Sequence, residues 1–218
     1  MRIAVIGATG MVGSRIVTEA ADRSHQVIAA SRAAPHHTRR EVTSKQADAR
    51  SATDIDNVLD GVEAAVLTVR AVPGEEDAFV TITKVVLDAS ARAGIPVFVV
   101  GGAGPLHSPK EHDRLVVDSP AFVPKRWRST AAASVTQLAT CAEHTHQNWT
   151  YLSPPAVLEP GIRTGSYRQG TTTLLTDHVG RSHISAEDLA VAVIDELEAP
   201  GTEQHITIAH KCPSTYAL

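Results

Sequence analysis

The chain opens Met1-Arg2-Ile3-Ala4-Val5-Ile6-Gly7-Ala8-Thr9-Gly10-Met11-Val12-Gly13, and the reading of this stretch decides the fold. Ile3 to Ile6 is an apolar run of strand length with no alternation, which predicts a strand buried on both faces. Gly7, Gly10 and Gly13 follow at once, and behind them Val12, Ile16, Val17 and Ala20 recur at helical spacing. A strand, a glycine-rich turn and an amphipathic helix in that order open a βαβ unit. The chemistry of the turn is specific. Leaving the strand tightly requires tolerance of positive φ, a pyrophosphate can reach backbone N–H groups only where no Cβ intervenes, and the helix start supplies oriented donors with a positive dipole end. A glycine triplet alone is a weak signal, but the strand before it and the helix after it are the context the motif needs. Gly7, Thr9, Gly10, Met11, Val12 and Gly13 are therefore read as the phosphate-binding loop.

The same pattern continues outward. Val27 to Ala30, Ala64 to Val69 and Val97 to Val100 are three more buried-strand runs, with a weaker one at Glu41 to Ala47. Ser51 and Asp54 begin a short helix as an S-x-x-D box that Gly61 ends. Phe79, Ile82, Val86, Ala89 and Ala93 mark a longer helix that Gly94 stops. Right-handed crossovers make this a doubly wound parallel α/β sheet. Farther on, residues 101–128 hold four prolines and read as a long loop. Ser129 to Gln147 reads as a helix with Val135, Leu138, Ala139 and Ala142 inward, and Trp149 to Leu152 as a sixth strand. Ser153 to Gly170 reads as a second long loop, Ser185 and Asp188 cap a last helix carrying Leu189, Val193 and Leu197, and His205 to Ala209 reads as a final strand. We take residues 1–218 as one domain with substrate-side loops at 101–128 and 153–183. Both loops leave the carboxyl ends of strands, where open α/β sheets bind ligands.

Composition narrows the function classes. Aromatic residues are 4% of the chain, so Val, Ile, Leu and Ala must build the core, and the net charge of −4 argues against a nucleic-acid binder. No apolar run reaches membrane-spanning length and no cleavage-site pattern follows the N-terminus. Cys141 and Cys212 form no C-x-x-C pair, so a disulfide framework or structural zinc is not expected, and a reducing cytoplasm fits. Cys141 sits mid-helix and reads as a small buried hydrophobe. The histidines show no metal spacing: His36 and His37 are adjacent, and His144 and His146 face different directions on a helix.

The end of the second strand distinguishes the two nicotinamide dinucleotides. An acidic residue there would bind the adenosine ribose hydroxyls, but the sequence has Ser31-Arg32, with Arg39 and Arg40 beyond. A guanidinium can clamp a 2′-phosphate bidentately, so NADP(H) is expected ahead of NAD(H). Asp48, ending the third strand, either accepts from the adenine amino group or caps its own loop.

Several stretches together resemble the atypical short-chain dehydrogenase/reductase superfamily, and most closely its bacterial NADH-flavin-reductase-like members, relatives of biliverdin reductase B and the NmrA-like proteins. They are Ile3-Ala4-Val5-Ile6-Gly7-Ala8-Thr9-Gly10, Val99-Val100-Gly101-Gly102-Ala103-Gly104, Ser153-Pro154-Pro155-Ala156, Glu159-Pro160-Gly161-x-Arg163-Thr164-Gly165-x-Tyr167 and Ile184-Ser185-x-x-Asp188. The resemblance implies a Rossmann sheet with a small C-terminal cap, NAD(P)H binding, and reduction of a flavin or quinone-like acceptor; a monomer or homodimer is expected. It implies that the glycine loop lines the pyrophosphate, Arg32 takes the 2′-phosphate, and Val69 and Arg70 pass the adenosine ribose. Gly101 and Gly102 would flank the nicotinamide, and Ser153, Pro154, Pro155 and Ala156 would close over its carboxamide.

One departure matters. The superfamily's catalytic Tyr-x-x-x-Lys is absent: Tyr151 and Tyr167 are followed four residues later by Pro155 and Thr171, and Tyr216 lies too near the end. Flavin or quinone reduction needs no such pair, because the protein mainly positions the hydride donor. His107, His112 and Ser108 are the candidate proton donors and substrate contacts on the loop after the fifth strand. Lys125, Arg126 and Arg128 either hold an anionic substrate or face solvent, and Trp127 either stacks on a planar ring or packs on the core. The missing pair also supports a non-catalytic NADP(H) sensor of NmrA-like type, and an epimerase-like activity is a third reading.

Overall fold

The computed structural model describes residues 1–33, 37–70, 74–111 and 113–211; His36, His112, Cys212 and Tyr216, named above, lie outside them. Strand β1 (Arg2–Ile6) is central. Ile3 and Val5 pack toward helices α1 (Met11–Asp22) and α5 (Ala186–Glu198), while Ala4 and Ile6 pack toward α2 (Ala52–Leu59) and α3 (Glu76–Ala93). Both faces of the strand are thus inside, which is why the run does not alternate.

Around it lie β2 (Gln26–Ser31), β3 (Val42–Gln46), β4 (Ala64–Leu67), β5 (Val97–Val100), β6 (Trp149–Ser153), β8 (Tyr167–Gly170) and β10 (His205–His210), in the order β3-β2-β1-β4-β5-β6-β10-β8. All neighbours are parallel except β8, which runs antiparallel to β10. The order reverses between β1 and β4, so the crevice above their carboxyl ends is the topological switch point. The fold is the Rossmann-like sheet expected, with one edge strand more than the pattern shows.

Local signals decide the helix ends. Ser51 and Ser185 each accept a hydrogen bond from the backbone N–H three residues on, Asp54 and Asp188 respectively. Gly94 ends α3 in the left-handed conformation at φ +68°. On α1, Ile16, Val17 and Ala20 are buried against Leu189 and Val193 of α5, as the helical spacing predicts.

Helix α4 (Arg128–Glu143) is turned differently from its apolar pattern. Ala133, Ser134, Gln137, Thr140 and Cys141 face in, Val135 and Leu138 are half-buried, and Ala139 and Ala142 are exposed. The inward polar groups are satisfied. Gln137 donates from Nε2 to Thr83 Oγ1 at 3.2 Å and accepts from the Tyr151 hydroxyl at 3.1 Å. Ser134 and Thr140 donate to carbonyls of their own helix. A buried polar side chain with partners costs little, and it leaves no trace in an apolar period.

Both long loops are more ordered than their composition suggests. Residues 101–128 include two short 3-10 turns, Val116–Asp118 and Lys125–Trp127, and Leu106, Val116 and Leu174 form a small core beneath them. The segment read as a loop from Ser153 to Gly170 contains β7 (Val157–Glu159) and β8, and β7 pairs in parallel with β9 (His183–Ser185).

Candidate cofactor and substrate cleft

A cleft of about 1790 Å³ runs along the carboxyl edge of the sheet. At its centre the glycine loop turns with Gly7 at φ +96°, and the amides of Gly7 and Ala8 both donate to Ala30 O. A Cβ on Gly13 would lie 2.2 Å from Gly7 O and 2.8 Å from Thr68 Oγ1. The third glycine thus lets α1 press against the turn, and Gly13 lies behind the cleft surface while Gly7, Thr9, Gly10, Met11 and Val12 line it. Helix α1 starts at Gly10 with no side-chain cap and no acidic residue in its first turn. Its leading N–H groups and positive dipole end therefore face the cleft without an internal anion. This is a cradle that a diphosphate fits and a buried carboxylate has not filled.

Residues 7–200 match the family described as NAD(P)H-binding. The chain belongs to that family. It is 35% identical over 202 residues to the uncharacterised protein YwnB of Bacillus subtilis, covering 92% of this chain and 93% of that one. Among solved structures it is similar to a candidate epimerase from Bacteroides thetaiotaomicron, with 32% identity, TM-score 0.88, and 97% and 98% of the two chains covered. It is also similar to a candidate NADH-flavin reductase from Streptococcus pneumoniae, with 28% identity, TM-score 0.86, and 97% and 100% covered. A third, a candidate exported protein from Burkholderia pseudomallei, is 35% identical with TM-score 0.84, over 96% and 100%. No helix among the described residues is long and apolar enough to cross a membrane.

Within this NAD(P)H-binding fold the part of the cleft beyond β2 and β3 carries arginines. Arg32 is exposed at the cleft and, among the described residues, forms no hydrogen bond or salt bridge. Ser31 is buried and its hydroxyl donates to Ala33 O. Arg39 is drawn away by Asp22 at 2.6 Å. Asp48 lines the cleft but is engaged by its own loop: Arg50 grips it through Nε and Nη2 and donates its backbone N–H to it. The guanidinium, with the backbone amide, holds the Asp48 carboxyl down at about 2. Arg50 is itself a cleft residue that the sequence reading did not select.

Val69 and Arg70 line the cleft after β4, and Gly101, Gly102, Pro154, Pro155 and Ala156 line it after β5 and β6. Gly101 and Gly102 have a reason beyond ligand approach. A Cβ on Gly101 would fall 1.9 Å from the Tyr151 hydroxyl, one on Gly102 would fall 3.0 Å from Ser134 Cβ, and one on Gly104 would fall 2.2 Å from Ala131 O. Tyr151 is fully buried, donates to Ser134 O at 3.0 Å, and burial pushes its hydroxyl above the ordinary range. It shapes the β5 loop from below and is not among the residues lining the cleft. Thr68, also missed, donates from Oγ1 toward the carbonyls of Ile6 and Gly7 and so holds the glycine turn. Its only sequence signal is its place directly after β4.

His107 and Ser108 are not among the cleft-lining residues. His107 bridges Leu115 and Thr173, and Ser108 is buried, so both tie the loop together. Ser153 is likewise buried, 2.9 Å from His205 Nε2. Of the basic trio only Arg126 lines the cleft; Arg128 pairs with Asp118 at 2.7 Å. Trp127 does not pack into the core: it is 42% exposed, lines the cleft, and has the Arg70 guanidinium 5.9 Å from its ring centroid. Cys141 is buried and its thiol is pushed up to about 12 by desolvation, which makes it a core residue and no nucleophile.

Proposed function

We propose that this chain is an NADPH-dependent oxidoreductase that reduces a planar acceptor such as a flavin or quinone. The observation that carries the reading is the continuity of one cleft from the uncapped start of α1 to the exposed Trp127 ring. The amides of Thr9, Met11 and Val12 donate to the diphosphate, Gly7 and Gly10 shape the turn, their own amides being engaged by Ala30 O and Gly7 O, and Arg32 meets the 2′-phosphate. A reduced nicotinamide bound between Gly101-Gly102 and Pro154–Ala156 supplies a hydride. The Trp127 face, backed by the Arg70 cation, offers an aromatic platform for the acceptor, and offset stacking of that kind contributes about 0.5–1.5 kcal/mol beyond buried area. The 28% identical relative named for NADH-flavin reduction supports the acceptor class. Steady-state oxidation of NADPH and NADH with FMN, FAD and quinones tests the proposal. Acceptor-dependent turnover with NADPH preferred is the expected result; tight NADPH binding without turnover on any acceptor would overturn it.

A second reading, an NADP(H) sensor of NmrA-like type, draws on the absence of Tyr and Lys from the described cleft-lining residues. It requires a partner protein whose binding differs between NADP⁺ and NADPH, which a pull-down under the two conditions measures.

A further inference from the structure

Resting on the oxidoreductase reading, the geometry points to His183, oriented by Glu159, as the proton donor to the reduced acceptor. Hydride addition to a quinone or flavin leaves an anion on the acceptor, and a neutral product needs a proton at that oxygen or nitrogen. The superfamily's tyrosine is not there to supply it. Among the described residues lining the cleft there is no Tyr, Lys or Cys. Arginine does not release its proton near neutrality. Two of the lining carboxyls are held ionised. Asp48 is gripped by Arg50, and for Asp177 the Arg181 backbone and side chain and the Val179 amide outweigh the desolvation that opposes them. Besides the carboxyls of Glu75 and Glu159, the described lining residues include the imidazoles of His183 and His210, and histidine is the side chain that most often serves as a general acid.

His183 has the better placement. It opens β9, and its partner in register is Val157, the residue directly after the Pro154–Ala156 segment. Its Nε2 stands 3.4 Å from Glu159 Oε1 on β7, and its side chain is 42% exposed, so one edge is held while the ring stays accessible. Other charged groups on neighbouring elements have partners of their own, and Arg168 of β8 donates to the carbonyls of Thr176 and His210. Arg181 pairs with Asp177 at 2.8 Å, and Glu187 of α5 pairs with Arg15 at 2.6 Å. His210 of β10 lies 4.0 Å from Asp188, which is fully buried and already accepts from Thr164 and Gly165.

The step balances. The acceptor takes two electrons and one hydrogen as hydride from the reduced dinucleotide, which is oxidised. An O–H or N–H bond forms on the acceptor as the imidazolium N–H of His183 breaks. Water then restores the imidazolium. Glu159 is a positioning residue, since it acts only through the ring.

The test compares wild type with His183→Asn, His183→Ala and Glu159→Gln, using menadione and FMN as acceptors. The expected result is a kcat about a hundredfold lower in the His183 variants, with unchanged NADPH affinity and melting temperature. The alkaline fall of the wild-type pH–rate profile should vanish in them, and added imidazole should restore turnover in His183→Ala. A readout independent of turnover is calorimetric binding of 2-hydroxy-1,4-naphthoquinone, whose anion carries the charge of the hydride-accepted acceptor. Its affinity at neutral pH should fall about tenfold in His183→Ala, the loss of one charge-assisted contact. Glu159→Gln should lower kcat less and keep the alkaline fall. Wild-type turnover with His183 variants unchanged in rate, pH profile and probe binding overturns the assignment and leaves the oxidoreductase reading standing. The same losses appearing in His210→Asn instead also overturn it. Absence of wild-type turnover with every acceptor overturns both.

Discussion

Replacing Gly13 by alanine is the most informative single change to the cofactor loop. Gly13 does not adopt positive φ, so its side chain is excluded by contact rather than by backbone conformation. The added methyl would sit 2.2 Å from Gly7 O, 2.9 Å from Gly7 C and 2.8 Å from Thr68 Oγ1. Two of those atoms are backbone and cannot rotate away, so α1 must slide outward or the turn must open. Overpacking of this kind costs about 2–3 kcal/mol, which lowers the melting temperature of a chain this size by about 5–10 °C. The displacement moves the first-turn amides of α1 relative to Gly7, so NADPH affinity should fall at least tenfold, about 1.4 kcal/mol. Gly94→Ala is the control. It also adds a methyl at a glycine, but at φ +68° with nothing within 4 Å, so it should cost about 1 kcal/mol through backbone strain alone and leave NADPH affinity unchanged. Thermal melting with and without NADPH, together with calorimetric titration, measures both terms. A Gly13→Ala protein that melts within about 1 °C of wild type and binds NADPH normally would refute the reasoning.

Arg32→Glu should weaken NADPH about tenfold to a hundredfold, the worth of charged hydrogen bonds, while changing NADH little; equal effects on both in a binding titration would remove the 2′-phosphate assignment. His205 is half-buried, and desolvation, with the charge of His107 nearby, lowers its pKa to about 4. Between pH 6.5 and 4 the unfolded chain therefore binds more protons than the folded one, so stability falls across that window, by about 1–2 kcal/mol after allowing for solvent screening. Denaturant titrations at pH 7 and pH 4.5 should show a smaller difference in His205→Asn. Asp188→Ala should cost about 2–3 kcal/mol, because Thr164 N, Gly165 N and Thr164 Oγ1, at 2.7, 2.8 and 2.6 Å, all lose their acceptor; urea denaturation checks this, and Asp188→Asn should lose less. Trp127→Leu should raise the KM for FMN severalfold without moving NADPH affinity, which steady-state kinetics and titration separate.

The first half of the fold was legible because each signal there is local. The run from Ile3 to Ile6 is buried on both faces, the Ser51 box caps α2 through a neighbouring residue, as the Ser185 box does for α5 later in the chain, and Gly94 stops α3 by its own conformation. The second half depends on partners distant in sequence. Gln137 turns inward on α4 only because Tyr151 and Thr83 meet its amide. Strands β7 and β9 are three residues each and exist through each other, so neither carries a period long enough to read. The site divides in the same way. The glycine loop and Arg32 follow from position along the chain. The setting of His107 in a loop bridge, the contact between Gly101 and Tyr151, and the pairing of His183 with Glu159 follow from tertiary register alone.

The account rests on the amides at the start of α1 gripping a dinucleotide diphosphate, and isothermal calorimetry with NADPH tests this most directly. It predicts saturable heat at one site per chain, abolished or weakened at least tenfold by Gly13→Ala. A flat titration at millimolar NADPH and NADH, with a folded protein in the cell, would contradict it.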